Sequence, residues 1–181
     1  FIIASGYKDK IIREYFKANQ NIKVVNTGLN TLTGGRLLRL KNYLPNNFFL
    51  TYGDGLSNVD ILKLYKLHLS KKKIATVTAV HPIARFGEIR IKQNIVVSFN
   101  EKPRVKNDWI NGGFFVFNKK IFKFIKNDFS VLEQEPMRKI VKIHELVVLK
   151  HEGFWQCMDT AREKIILENL YKLKNCPWKK K

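Results

Sequence analysis

The sequence predicts an α/β fold: a mainly parallel, mixed sheet covered by helices, with a small β-hairpin inserted. Three observations predict it. Apolar, β-branched runs alternate with segments of helical spacing as far as residue 80. The first three of these runs are each followed by a helical segment and not by a second strand, the rhythm of a parallel, helix-covered sheet. After residue 87 the rhythm changes, and two short runs, 88–92 and 95–99, meet at Gln93-Asn94, a hairpin signal.

Taken in order, residues 1–4 read as a strand and 9–16 as a helix. A short strand follows at 22–25, then a helix at 35–44 with Leu37, Leu40 and Leu44 on one face. The next strand, 48–52, ends in Tyr52-Gly53-Asp54-Gly55. Asp-Gly between two strands is a hairpin turn. The residues beyond it, Val59, Ile61, Leu62, Leu64, Tyr65 and Leu67, have helical spacing, so no strand is expected there and a helix is read at 59–69. Strand 74–80 carries Thr76 and Thr78. Beyond the hairpin, 109–117 is a long apolar strand broken by Gly112-Gly113. Helices near 119–126 and 135–143, a strand at 146–150 and a helix at 160–173 complete the chain. No repeat or linker interrupts it, so residues 1–181 are read as one domain.

Composition excludes several classes. At 181 residues and 45% hydrophobic, the chain can bury a sizeable core. No apolar run approaches the ~20 residues of a membrane span, so no membrane partner is expected, and two cysteines with no disulfide framework suit a reducing cytoplasm. The first residues lie inside an apolar run and the first is not Met, so a fragment is expected. Net charge is +19, but of 34 basic residues only 8 are Arg and 26 are Lys, spread along the whole chain. A nucleic-acid footprint needs clustering and not only total charge, so nucleic acid is not expected as a partner. Cys157 and Cys176 have no metal or disulfide spacing, and neither do His68, His81, His144 and His151.

Four stretches carry candidate chemistry. Asp54, between glycines at a strand end, lies where open α/β sheets bind ligands. Ser57, followed three residues later by Asp60, reads as the cap of the next helix, which leaves Asp54 over the sheet edge. The flanking glycines would let a ligand approach the backbone. Asp159 repeats the pattern, because Thr160 and Glu163 form a T-x-x-E capping box without it. Two such carboxylates suit one hard divalent cation, as magnesium is bound through one or two carboxylates plus substrate phosphates; two unrelated surface aspartates are the alternative. Gly34-Gly35 opens a helix with Arg36 in its first turn, an arrangement suited to an anion or to a flexible turn with a solvated arginine. In Phe99-Asn100-Glu101-Lys102-Pro103, Lys102 offers a compact charge for a phosphate and Glu101 an acceptor for sugar hydroxyls, unless the two are an exposed pair.

Together these stretches resemble the sugar nucleotidyltransferases, and most closely the glucose-1-phosphate cytidylyltransferases. The resemblance rests on SGYK (5–8), LTGGRL (32–37), FLTYGDG (49–55), RFG (85–87), FNEKP (99–103), INGGFFVFN (110–118), EQEP (133–136) and GFWQCMDT (153–160). It implies a Rossmann-like nucleotidyltransferase fold and transfer of a cytidylyl group from CTP to glucose 1-phosphate, giving CDP-glucose. It implies that Asp54 and Asp159 hold Mg²⁺, that Thr31, Arg36 and Gly53 line the nucleotide site, and that Gly87, Glu101, Lys102 and Asn111 meet the sugar phosphate. Lys102, on that phosphate, and Asp54 would be the catalytic pair. A homo-oligomer and a place in nucleotide-sugar biosynthesis for O antigen and lipopolysaccharide are also implied, with Pro177-Trp178 a possible contact.

The chain departs from the family pattern in two places. It opens at the family's second strand, so the first strand and the Gly-x-Gly-Thr-Arg loop that cradles the triphosphate are expected upstream, and these 181 residues alone are expected to lack turnover. The segment between Phe16 and Thr27 is also shorter than in typical members. Other readings are a nucleotidyltransferase of different base or sugar choice, or a non-catalytic nucleotide- or nucleic-acid-binding module.

Overall fold

The computed structural model describes residues 1–82, 86–101 and 108–179. Elements run β1 (Ile2–Ser5), α1 (Asp9–Phe16), β2 (Lys23–Asn26), α2 (Thr33–Arg39), β3 (Asn47–Thr51), β4 (Gly55–Ser57), α3 (Ile61–Lys71) and β5 (Ala75–Val80). They continue with β6 (Glu88–Lys92), β7 (Ile95–Asn100), β8 (Ile110–Asn118), α4 (Glu135–Lys142), β9 (Leu146–Lys150), β10 (Trp155–Cys157) and α5 (Ala161–Lys172). β1 and β2 pair in parallel, β3-β8-β5-β9 form a four-stranded sheet in that order, and β4 pairs antiparallel with β10. The expected α/β class with a mixed sheet is therefore present. The hairpin is present too: β6 and β7 pair antiparallel, and Gln93 and Asn94 both turn at positive φ, 48° and 65°, as a two-residue hairpin turn demands.

The chain divides into two compact units. The first comprises Phe1–Phe49, His68–Thr76 and Val116–Val147. Its core holds Phe48, Val116, Phe117, Ile121, Phe122, Leu132 and Ile140, with the Phe48 ring 6.0 Å from Phe117 and 6.1 Å from Phe122. The second comprises Leu50–Leu67, Val77–Phe115 and Val148–Lys181, and it buries Val59, Leu64, Ala79, Val80, Phe115 and Leu167.

Several sequence expectations need correction. A strand does follow Asp54. Its three residues are too short to leave an alternating pattern, and its partner lies about a hundred residues on. Ser57 belongs to that strand and does not cap α3. Its hydroxyl donates to the Phe154 carbonyl at 2.7 Å and accepts from Val59 N at 3.2 Å. The cap is Asp60, whose carboxylate accepts from Lys63 N at 2.9 Å, the usual way a side-chain oxygen satisfies an orphan N–H of a first turn. The helix read at 35–44 stops at Arg39 and continues only as a 3₁₀ turn at Lys41–Tyr43, and the segment read as a helix near 119–126 is a 3₁₀ turn at Lys119–Lys123. Trp178 is half-buried, its ring 5.6 Å from that of Phe154.

The Gly34-Gly35 pair has a packing reason. Gly34 N and Gly35 N both donate to the Ser130 carbonyl, at 2.9 and 3.2 Å. Those two N–H groups are therefore not offered to an anion, and the anion reading of this helix end is withdrawn.

In the first unit His68 is 2% exposed, with Nδ1 3.0 Å from Thr76 Oγ1. Burial holds its pKa below the ordinary histidine value. The unfolded chain therefore takes up this proton first as pH falls through ~6.5, and stability declines from there until the folded histidine is itself protonated. The urea midpoint should drop between pH 7.5 and 5, and the drop should shrink in His68→Gln. An identical drop in the variant would show that His68 does not carry it.

Candidate active site

The second unit contains a cavity of about 200 Å³ lined by Thr51, Tyr52, Asp54, Gly55, Asn111, Gly112, Gly113, Trp155, Cys157 and Asp159. Its walls follow from strand pairing. β4 and β10 align Gly55 with Cys157, and Met158 N donates to the Asp54 carbonyl at 2.9 Å. Two turns far apart in sequence are thereby tied together by backbone alone. Both carboxylates, Asp54 and Asp159, are exposed.

The glycines around Asp54 are not there for the fold. Neither Gly53 nor Gly55 has positive φ, and a Cβ built on either meets nothing within 4 Å. The backbone on both sides of the carboxylate therefore faces open space. Gly112 and Gly113 differ. A Cβ on Gly112 would sit 2.8 Å from Val80 Cγ1, and Gly113 adopts φ 76° with the Tyr52 ring where a Cβ would be.

Asp159 stands in a cluster with Cys157 and Glu163, whose ligand atoms lie within 4.8 Å of one another. Glu163 is occupied: its Oε2 accepts from Asp159 N and Thr160 N, both at 2.9 Å, and Thr160 Oγ1 accepts from Glu163 N at 3.2 Å. The predicted capping box is thus present, and it leaves the Asp159 side chain out of the cap. Burial, followed by the Glu163 and Asp159 charges, pushes the Cys157 thiol up to about 11.

Of the residues picked from the sequence, Asp54, Asn111 and Asp159 line this one cavity, and Gly53 adjoins it. Gly87 and Glu101 meet at the base of the β6–β7 hairpin, where a Cβ on Gly87 would lie 3.1 Å from Glu101 Oε2. Lys102 lies outside the described residues. Thr31 and Arg36 belong to the first unit. Thr31 is buried beside Gly28, and Arg36 Nη1 donates to the Ser5 carbonyl at 3.0 Å and to Thr27 Oγ1 at 2.9 Å. Sequence reasoning missed Tyr52, Trp155 and the two glycines of β8 as parts of the cavity wall. The available signal was Gly112-Gly113 itself, since glycine inside a strand marks a close approach.

A mixed α/β sheet with two aspartates lining one cavity, one of them just beyond a strand end, is the arrangement in which α/β proteins bind ligands at a sheet edge. The chain belongs to the nucleotidyl transferase family, which it matches over residues 2–162. It is 39% identical over 207 residues to a glucose-1-phosphate cytidylyltransferase of Salmonella typhimurium, an alignment covering 99% of this chain and 80% of that protein. It is 33% identical over 137 residues to a D-glycero-alpha-D-manno-heptose 1-phosphate guanylyltransferase of Campylobacter jejuni, covering 74% of this chain and 59% of that one. Among solved structures it resembles HddC from Yersinia pseudotuberculosis, with a TM-score of 0.69, 17% identity and coverage of 94% and 77%. It also resembles a UDP-glucose pyrophosphorylase complexed with UDP-glucose, with a TM-score of 0.67, 14% identity and coverage of 96% and 80%. At these identities the two structures speak to the fold.

Proposed function

We propose that the protein transfers the cytidylyl group of CTP to glucose 1-phosphate, giving CDP-glucose and pyrophosphate. The observation that carries the site is the single cavity onto which Asp54, Asn111 and Asp159 converge, with open space over Gly53 and Gly55. The substrate pair is favoured because the cytidylyltransferase relative aligns over 99% of the chain at higher identity than the guanylyltransferase does over 74%.

In this reaction a phosphate oxygen of the sugar phosphate attacks the α-phosphorus of CTP. A new P–O bond forms, the bond to the bridging oxygen breaks, and pyrophosphate leaves with that electron pair. The step needs alignment and charge neutralisation more than a protein nucleophile. Asp54 and Asp159 are assigned to hold Mg²⁺, for which hard carboxylate oxygens are a suitable donor set. When bound, the ion offsets the negative charge of the triphosphate. Gly53 is assigned to the nucleotide. Asn111, Gly87 and Glu101 are assigned to the sugar phosphate, and Lys102 supplies a point charge to its phosphate. A cytoplasmic homo-oligomer supplying activated sugar for O antigen and lipopolysaccharide completes the proposal.

The test is pyrophosphate release by the full-length protein, with CTP, GTP, UTP and dTTP each paired with glucose 1-phosphate and with heptose 1-phosphate. Turnover with CTP and glucose 1-phosphate is expected to dominate, and preference for GTP with the heptose would overturn the substrate assignment. A second expectation concerns the glycines. Gly53→Ala puts a methyl group into empty space, so Tm should hold. KM for CTP should rise on the order of tenfold, about 1.4 kcal/mol, because the added group narrows the approach to the backbone. An unchanged KM would remove Gly53 from the nucleotide site.

A further inference from the structure

We propose that Tyr52 is a positioning residue that presets the Asn111 side chain as a hydrogen-bond donor toward the sugar phosphate. This rests on the reading of Asn111 as a sugar-phosphate contact. Three observations carry it, all within the second unit.

The first fixes which end of the amide is oxygen. Gly113 N donates to Asn111 Oδ1 at 2.9 Å, and a backbone N–H can bond only an acceptor. The other end is therefore the NH₂ group. The second shows where that group is held. Asn111 Nδ2 donates to the Tyr52 hydroxyl oxygen at 3.2 Å. An amide nitrogen carries two hydrogens, so one N–H remains for an acceptor oxygen in the cavity that Asn111 and Tyr52 both line. The third shows that Tyr52 is itself held in place. Its ring packs edge-on against Phe115, with centroids 5.9 Å apart and planes at 75°, and it occupies the place a Cβ of residue 113 would take, 2.7 Å from Tyr52 Cδ2. Glycine at 113, with φ 76°, both admits the ring and aims the N–H at Asn111 Oδ1. Trp155 steadies the same strand, its indole N–H donating to the Gly112 carbonyl at 2.7 Å.

Without the hydroxyl, the amide keeps its Gly113 bond but loses the partner on its donor end. It can then rotate away from the orientation that serves the ligand. The energetic effect is that of one neutral hydrogen bond used for preorganisation.

The experiment is a double-mutant cycle in the full-length protein with Tyr52→Phe and Asn111→Ala. Tyr52→Phe should raise KM for the sugar phosphate by about 3- to 10-fold and leave KM for CTP, kcat and Tm near wild type. In the Asn111→Ala background it should add nothing. Equal increases in both backgrounds would overturn the proposal, because Tyr52 would then act independently of Asn111. A fall in Tm with unchanged KM would make Tyr52 structural only, also overturning it. A second readout needs no turnover. The Asn111 Nδ2H₂ pair, assigned in a ¹⁵N correlation spectrum by its loss in Asn111→Ala, should shift in ligand-free Tyr52→Phe, and an unmoved pair would overturn the proposal. If the wild type prefers another nucleotide or sugar, the substrate assignment falls while the cycle is run with the preferred pair.

Discussion

Asp54→Asn should cut pyrophosphate release from CTP and glucose 1-phosphate by on the order of 10²-fold or more in the full-length protein, the scale for loss of a main electrostatic stabiliser. Tm should move by no more than a few degrees. The substitution keeps side-chain size and removes only the charge. The backbone tie at this position uses the Asp54 carbonyl and Met158 N, which asparagine retains. The next helix is capped by Asp60, so no cap is lost. Near-wild-type turnover would make Asp54 a turn residue and remove it from the metal site. A large drop in Tm would assign it a structural role that the geometry does not give it.

Gly35→Ala has the opposite signature. A Cβ there would lie 2.5 Å from Asp128 Cα, 2.6 Å from its carbonyl carbon and closer still to its oxygen. These are backbone atoms and cannot rotate aside. The segment is also pinned, with Leu32 N donating to the Asp128 carbonyl at 2.9 Å and Arg39 gripping the Asp128 carboxylate at 2.9 and 2.5 Å. Relief requires parting α2 from residues 127–130. We expect a loss of about 3 kcal/mol or more, lowering Tm by roughly 6–12 °C for a chain of this size. A Tm within 2 °C of wild type would show that the segment shifts at little cost.

Elements with local signatures were legible in the sequence. Strands with β-branched runs, the Gln93-Asn94 hairpin and the Thr160–Glu163 capping box all follow from rules that act within a few residues, and all are present. The errors share one cause. β4 and β10 exist because each pairs with the other across about a hundred residues, and three residues alone carry no period. Ser57 matched the capping pattern, but tertiary pairing with Phe154 claimed its hydroxyl, and Asp60 took over the cap. Gly34-Gly35 has the composition of an anion loop, while Ser130, nearly a hundred residues away, decides its role. The two aspartates could be picked out because each sits beside a cap or a turn that does not need it. Tyr52 and Trp155 could not, since an aromatic beside a motif reads as core until its partners are known.

The backbone tie between Asp54 and Met158 also bears on synthesis. At ~5–20 residues per second, a ribosome needs roughly 5–20 s to travel from one aspartate to the other. Throughout that interval the nascent chain carries Gly55–Ser57 with no partner strand. The pocket therefore closes only once residues 155–159 have left the exit tunnel. A premature stop ahead of Trp155 would leave the first aspartate in a chain that can never complete the cavity.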